Sequence, residues 1–379
     1  MVVRRWSLVT LFVMLIGIDA SRAVACEATG TEYYSQHLIR ALIGLAPERR
    51  FRLYFNRPPV GDAYRASHVE HRIISFPRLW THVRLAVDVT LHPPDVLFVP
   101  AHVLPAAHPR RSVVTIHDLG YLYFPEAHPQ AQRVYLNLST RWNAQTSARV
   151  IADSQATKDD LVRHYGTPPE KIVVAHPGVE PAVRRVEDVQ RIRAVKSHYG
   201  VEGEYLLYLG TLQPRKNLAR LIEAFARSTA IQSRLVIAGK KGWLYDDLFR
   251  QVERSGLGHR VIFTGYVPDE DKSALLSGAT ALVFPSLYEG FGFPVSEAMA
   301  CGTPVICSST SSLPETAGDA ALFVNPLDVD AITSAIDRMT SDSALRWKLI
   351  ARGYLQAGKF TWQACAKKIL ETLDEVARL

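Results

Sequence analysis

Residues 8–45 read LVTLFVMLIGIDASRAVACEATGTEYYSQHLIRALIGL, and the parsing of this stretch decides the fold. Arg4-Arg5 ahead of the apolar run Leu8–Ile18, with Ala23-Val24-Ala25 behind it, has the outline of an export signal. The run is too short to span a bilayer as a helix. The competing parse is a buried strand of a parallel sheet, which also shows as continuous apolar sequence. The residues downstream favour the strand. After Gly17-Ile18-Asp19-Ala20 comes a loop of small residues containing Gly30, and from Thr31 to Leu45 apolar residues recur at Tyr34, Leu38, Leu42 and Leu45, a helical spacing. Strand, glycine loop and helix form the opening unit of a nucleotide-binding fold. Cleavage after Ala25 would remove its first strand, so a signal peptide is the weaker reading. Met14 is an alternative start, with residues 1–13 an extension.

Outward from that unit the same rhythm continues. Strands are expected at Phe51–Phe55, Val96–Pro100, Val113–His117, Val150–Ser154 and Lys171–Ala175, with a helix over Ala131–Ala148. Ser154 is placed to cap a helix starting at Gln155. A charged stretch, Glu180–Tyr199, reads as the linker and lead-in to the second domain. The alternation then restarts with strands at Tyr205–Leu209, Leu235–Ala238, Val261–Phe263, Ala281–Pro285 and Pro304–Cys307, a helix from Asn217, and a last helix over Trp362–Leu379. Repeated strand–helix alternation is the mark of parallel α/β sheets. The 379 residues suit two such domains: 1–180, 181–361, and a closing helix 362–379.

The net charge of +7 favours anionic partners. The basic residues are scattered and no nucleic-acid motif accompanies them, so nucleic acid is not an expected partner. Cys26, Cys301, Cys307 and Cys365 have neither metal-ligand nor disulfide-scaffold spacing and read as thiols of a reducing compartment.

Three segments carry chemistry. Gly210-Thr211-Leu212-Gln213-Pro214-Arg215-Lys216-Asn217 follows a strand and opens a helix. Ligands bind at the carboxyl ends of parallel strands, and a helix N-terminus favours anions. Arg215 and Lys216 there make a diphosphate site. The second segment runs from Glu289 to Pro304. Gly290 and Gly292 allow close backbone approach to a ligand, Pro294 suits the first turn of a helix, and Glu297 is expected in that turn. The two glutamates are expected to converge on one site and accept hydrogen bonds from sugar or ribose hydroxyls. Third, His117 ends a buried strand, where it can hold a hydroxyl or donate to developing charge.

Together these segments resemble glycosyltransferase family 4, over nearly the whole chain. The most specific part is Glu289–Pro304, with two glutamates flanking Gly-Phe-Gly and then Ala-Met-Ala-Cys-Gly-Thr-Pro. Supporting matches are Gly210–Asn217, Phe263–Val267, Leu313-Pro314-Glu315, His117-Asp118, Ile151–Ser154, and Ile18-Asp19-Ala20 with Gly30–Tyr34. The resemblance implies a retaining enzyme with the GT-B fold: two Rossmann-like domains facing across a cleft, the closing helix packing back on the first. The first domain would hold the acceptor, and the second a nucleotide-sugar donor. Arg215 and Lys216 would stabilise the leaving diphosphate. Glu289 would contact the transferred sugar, Phe291 and Gly292 would give backbone contacts, Glu297 would hold the ribose, and Val267 would lie near the base. Gly30 and Thr211 join the donor-binding set, and His117 would face the anomeric carbon. Front-face transfer, with the leaving phosphate helping to deprotonate the acceptor, would need no carboxylate nucleophile.

The family implies no cofactor and no metal. Asp328-Val329-Asp330 spells the metal-binding pattern of the other main glycosyltransferase fold, but after Asn325-Pro326 it reads as a helix opening. Acceptors in the family are often glycans or lipid-linked sugars, which suggests cell-surface polysaccharide assembly on the cytoplasmic face of a membrane, with GDP-mannose as a plausible donor. Pro77–Val89 places Leu79, Trp80 and Val83 beside Arg78 and Arg84 and would suit peripheral contact with an anionic membrane. The rival readings are a GT-B epimerase, a phosphorylase, and a non-catalytic nucleotide- or sugar-binding protein. A phosphorylase would need a lysine carrying pyridoxal phosphate, and no motif points to one.

Overall fold

The computed structural model describes residues 14–24, 30–76, 80–101, 103–230, 232–242 and 246–379. The arginine pair and the extension at residues 1–13, the cleavage motif's Ala25, and Cys26, Arg78 and Leu79 lie outside the described residues. The first sheet holds β1 (Leu15–Asp19), β2 (Arg50–Phe55), β3 (Val69–Ile73), β4 (Val96–Val99), β5 (Ser112–Ile116), β6 (Arg149–Ala152) and β7 (Ile172–Val174). Their order is β3-β2-β1-β4-β5-β6-β7. The ambiguous apolar run thus ends in a strand, paired in parallel with β2 and β4, with Ile16 and Ile18 fully buried. The helix after it spans Gly30–Leu45 and turns Tyr34, Leu38 and Leu42 inward, as the spacing requires.

The second sheet holds β8 (Tyr205–Leu209), β9 (Arg234–Ala238), β10 (Val261–Gly265), β11 (Ala281–Phe284), β12 (Val305–Ser308) and β13 (Ala321–Val324), in the order β10-β9-β8-β11-β12-β13. Strand order reverses between β1 and β4 in one sheet and between β8 and β11 in the other. These are the switch points where open parallel sheets bind ligands, outside the strands' carboxyl ends. Continuous burial of β4 and β11 explains why these strands read as unbroken apolar runs.

By packing, the chain divides into one unit of Met1–Thr115, Gln145–Val150 and Ala366–Leu379, and another of Ile116–Ala144 and Ile151–Cys365. The closing helix, Trp362–Ala377, gives its last turns to the first unit, where Asp374 pairs with Arg49 and Glu375 with Arg149.

Several local expectations need correction. Within the lead-in Glu180–Tyr199, Val189–His198 is a helix the sequence did not announce, capped by Asp188, whose carboxylate accepts from the Gln190 and Arg191 N–H groups. β3 and β13 fall outside the strands expected from the sequence. The helix after Lys216 begins at Leu218, preceded by a 3-10 turn at Pro214–Lys216 and by Asn217 in the left-handed region (φ 63°). Ser154 does cap the helix Gln155–Tyr165, accepting from the Thr157 N–H at 3.1 Å.

Asp19, at the carboxyl end of β1, is 3% exposed, and its Oδ1 accepts from the Ser21 N–H. Burial lifts its pKa to about 6, against the downward pull of Ser21 and Arg22. The folded state therefore holds this proton more tightly than the unfolded chain does. That preference contributes stability below about pH 4 and is lost as pH rises through about 6. Asp19→Asn is expected to be the more stable protein at about pH 8, by on the order of 2–3 kcal/mol, with the gap closing toward pH ~4. Melting temperatures of parent and variant across that range check this, and parallel curves would contradict it.

Candidate active site

The carboxyl ends of β8 and β11 deliver two loops to the switch point of the second sheet. From β8 comes the turn with Arg215 and Lys216. Asn217, 4% exposed, fixes it by donating from Nδ2 to the carbonyls of Pro285 (3.0 Å) and Pro326 (2.6 Å). The Leu287 N–H donates to the Arg215 carbonyl, tying the turn to the loop after β11.

That loop brings Glu289 against both basic residues. Lys216 Nζ donates to Glu289 Oε1 at 2.5 Å, and Arg215 Nη1 reaches Glu289 Oε2 at 3.4 Å and the Tyr288 carbonyl at 2.7 Å. Glu289 is buried rather than solvated. Burial pushes the Lys216 ammonium below its ordinary pKa despite the pull of Glu289. Burial acts downward on Arg215 too, but Glu289 and Asp118 together outweigh it, and the guanidinium pKa lies above the ordinary value.

Residues 289–292 are held by a second set of side chains. The Glu289 N–H donates to Ser311 Oγ, Ser312 Oγ donates to the Glu289 and Phe291 carbonyls, and Thr316 Oγ1 donates to the Phe291 carbonyl. Gly290 lies so close to the segment after β5 that a Cβ there would stand 2.1 Å from the His117 carbonyl oxygen. Gly292 has φ +102°, a conformation that favours glycine, and opens the helix Phe293–Ala300 with Pro294 in its first turn.

His117 follows β5 directly. Its Nδ1 lies 2.6 Å from Asp153 Oδ2, while Thr157 Oγ1 donates to its carbonyl. Asp118 accepts from the Gly120 N–H and stands 3.9 Å from Arg215 Nη1. Burial alone would raise the Asp118 pKa, but Arg215 and its neighbours hold it below the ordinary value. Burial raises that of Asp153 although His117 opposes it. The structure thus gathers His117, Asp118, Arg215, Lys216 and Glu289.

Glu297 departs from expectation. It lies in the second turn of its helix rather than the first, and its carboxylate accepts from Lys272 at 2.8 Å. Phe291 is buried, packing edge-on to Phe293 and Phe360. Val267 is buried in the core of the second unit just beyond β10. Thr211 follows β8, and its carbonyl is 3.4 Å from the Tyr208 hydroxyl. Gly30 is an exposed first residue of its helix in the first unit. Asp328 caps the helix Val329–Ser341, and Asp330 accepts from Arg227. Among the described residues, no group of three or more His, Cys, Asp or Glu side chains could hold a metal ion.

Sequence reasoning missed the roles of Asp153 and Lys272, whose partners lie 36 and 25 residues away, and gave Glu315 none. Glu315 accepts from the Gln155 N–H at the start of a helix and from His176 Nε2. No local pattern announces such pairs. The Asp153 carboxylate, 2.6 Å from Nδ1, fixes which nitrogen of His117 carries the proton, and if His117 serves the reaction Asp153 is its positioning residue. In Asp153→Asn the amide can present its NH₂ to Nδ1 and reverse the tautomer. Turnover is expected to fall roughly tenfold or more with donor KM and melting temperature nearly unchanged. A parallel change in KM, or none in kcat, would contradict the role.

The chain matches two family descriptions: Glycosyl transferases group 1 over residues 190–356 and Glycosyltransferase Family 4 over residues 29–183. It is 34% identical over 263 residues to an O-antigen chain mannosyltransferase B of Escherichia coli, 69% of each chain being covered. It is 30% identical over 272 residues to a serotype-specific mannosyltransferase WbdA of Escherichia coli, covering 69% of this chain but only 33% of that longer protein. A sucrose-phosphate synthase structure from Thermosynechococcus elongatus superposes with a TM-score of 0.76 at 21% identity, covering 96% of this chain and 98% of that one. At that identity the likeness shows the fold.

Proposed function

This chain belongs to glycosyltransferase family 4 and is a GT-B glycosyltransferase, and from that premise we propose a donor, an acceptor class and a division of labour. The donor is a nucleoside-diphosphate sugar, GDP-mannose, and the product is a glycosidic bond made with retention on a glycan or lipid-linked acceptor of cell-surface polysaccharide. The mannosyltransferase names of two relatives support the sugar and the pathway class. The observation that carries the reading is the turn of Arg215 and Lys216 set against Glu289 at the β8/β11 switch point.

In this reading residues 181–361 hold the donor, residues 1–180 hold the acceptor, and 362–379 form the closing helix. Arg215 and Lys216 take the diphosphate and stabilise it as it leaves, because fixed donors in a buried site need no reorganisation as charge develops. Glu289 accepts from hydroxyls of the transferred sugar, while Phe291 and Gly292 contribute backbone groups. Glu297, steadied by Lys272, takes the ribose. Val267 lies beside the base, with Thr211 completing the donor contacts of this unit. The acceptor hydroxyl oxygen bonds to the anomeric carbon as the bond to the diphosphate oxygen breaks. Its proton passes to that departing phosphate on the same face. His117, oriented by Asp153, holds the sugar beside the reacting carbon. No metal or other cofactor enters the step.

The setting is the cytoplasmic side of a membrane. No helix among the described residues is long and apolar enough to cross one. Within Pro77–Val89, the residues after 79 bury Trp80, Leu85, Ala86 and Val89 and leave Val83 and Val87 exposed. That pattern is a packed helix with two apolar exposed positions, Val83 and Val87, one turn apart, and these two would make any peripheral contact there.

A melting-temperature screen against UDP, GDP, ADP and their sugar conjugates, without added metal, tests the donor assignment. A ligand bound only by the native state must raise the transition. GDP and GDP-mannose are expected to do so, and sugar transfer should release GDP. A folded protein that melts unchanged across the panel would overturn the reading.

A further inference from the structure

β3 ends the first sheet, and its outer edge is open. The Phe51 N–H donates to the His68 carbonyl and the Ile74 N–H to the Phe55 carbonyl, which fixes the phase of the parallel ladder with β2. Glu70 and Arg72 therefore turn their backbone groups toward β2, while His71 and Ile73 turn theirs away. Among the described residues, the N–H and C=O groups of His71 and Ile73 have no hydrogen-bond partner. Ile73 is 46% exposed, and a groove opens between residues 71–75 and the helical residues Arg84, Asp88 and Leu91, the last 69% exposed. An open strand edge is a template for another strand.

Charge selects the occupant. The strand reads Val69-Glu70-His71-Arg72-Ile73 and is complementary to itself when reversed about His71. Against an antiparallel copy, Glu70 of each chain faces Arg72 of the other, and Val69 faces Ile73. The outward backbone groups of the two His71 residues then bond to each other across a two-fold axis. The neighbouring symmetric registers use the same backbone groups but set Glu70 against Glu70, or Arg72 against Arg72, and like charges directly opposite destabilise a strand pair. A single sign of charge would blunt the edge against its own copy, whereas opposite signs choose one register. Both side chains have capacity to spare. Glu70 accepts from Arg52 Nε at 3.1 Å and Arg72 donates from Nε to Asp88 at 3.0 Å, yet their side chains are 41% and 43% exposed. Pairing would extend these contacts into a row of alternating sign, Arg52 and Glu70 of one copy followed by Arg72 and Asp88 of the other. We propose that β3 pairs antiparallel with β3 of a second copy about His71, joining the two first sheets edge to edge. The donor site does not enter into it.

Sedimentation of the full chain across a range of concentrations tests this. The parent is expected to pass from monomer to dimer, less readily at high salt. Glu70→Arg sets arginine against arginine at both contacts, and Arg72→Glu sets glutamate against glutamate. Each variant alone should therefore dimerise about tenfold more weakly or worse. Mixed in equal parts, the two variants carry complementary strands and should form a heterodimer as tight as the parent dimer. Each charge also pairs within its own chain, so melting temperatures accompany the measurement and Ile73→Pro supplies an independent check. That change removes an outward N–H that β2 does not use, so the sheet should keep its ladder while the dimer is lost. A parent that stays monomeric at every concentration overturns the proposal. So does a dimer that survives Ile73→Pro, or a pair of folded, monomeric charge variants whose mixture stays monomeric.

Discussion

Lys216→Ala is expected to lower glycosyl transfer by about two to three orders of magnitude, the 2–4 kcal/mol typical of removing one fixed donor from a site where charge develops. Two features set the size of the effect. Lys216 is 8% exposed, so water cannot easily take its place. Its ammonium is also the nearer of two cations on Glu289, at 2.5 Å against 3.4 Å for Arg215. Alanine leaves that buried carboxylate short of compensation, and some loss of stability should accompany the loss of rate. The two are separable by comparing turnover at temperatures well below each melting point. Lys216→Arg, which restores a cation, should recover part of the rate. Parental turnover in a folded Lys216→Ala protein would remove Lys216 from the mechanism.

Deleting residues 1–25 is expected to abolish folding altogether. The deletion takes out β1, which hydrogen-bonds to β2 along one side and β4 along the other, so it opens a sheet near its middle. It also removes Ile16 and Ile18, both fully buried. Two such side chains alone represent roughly 3–6 kcal/mol of burial, a large part of the total stability of an ordinary domain. Two unpaired interior strand edges then invite aggregation. Circular dichroism and sedimentation of the deleted chain check this. A monomer that unfolds cooperatively like the full chain would show that the apolar run serves as a removable leader.

The elements legible in the sequence are those where one physical signal dominates. β4, β8 and β11 are continuous apolar runs because both faces are covered. Ser154 announces its helix because the hydroxyl cap is a local device. β3, with the sequence Val-Glu-His-Arg-Ile, is invisible because it is an edge strand with no fully buried residue. The helix Val189–His198 hides in a charged run because it buries little beyond Val195. At the site, the Arg215-Lys216 turn was readable from its place after a strand. The pairing of Glu297 with Lys272 and of His117 with Asp153 was not, because only the folded chain brings those residues together. Glu289 and Glu297 each hold a lysine distant in sequence, Lys216 and Lys272, and no local pattern announces either pair.

Calorimetric titration of GDP, UDP and ADP asks directly whether the turn of Arg215 and Lys216 seats the donor diphosphate. The parent is expected to bind GDP, and the double variant Arg215→Ala/Lys216→Ala to bind it about a hundredfold more weakly while remaining folded. Equal affinity in parent and variant would place the diphosphate elsewhere and contradict the proposed mechanism.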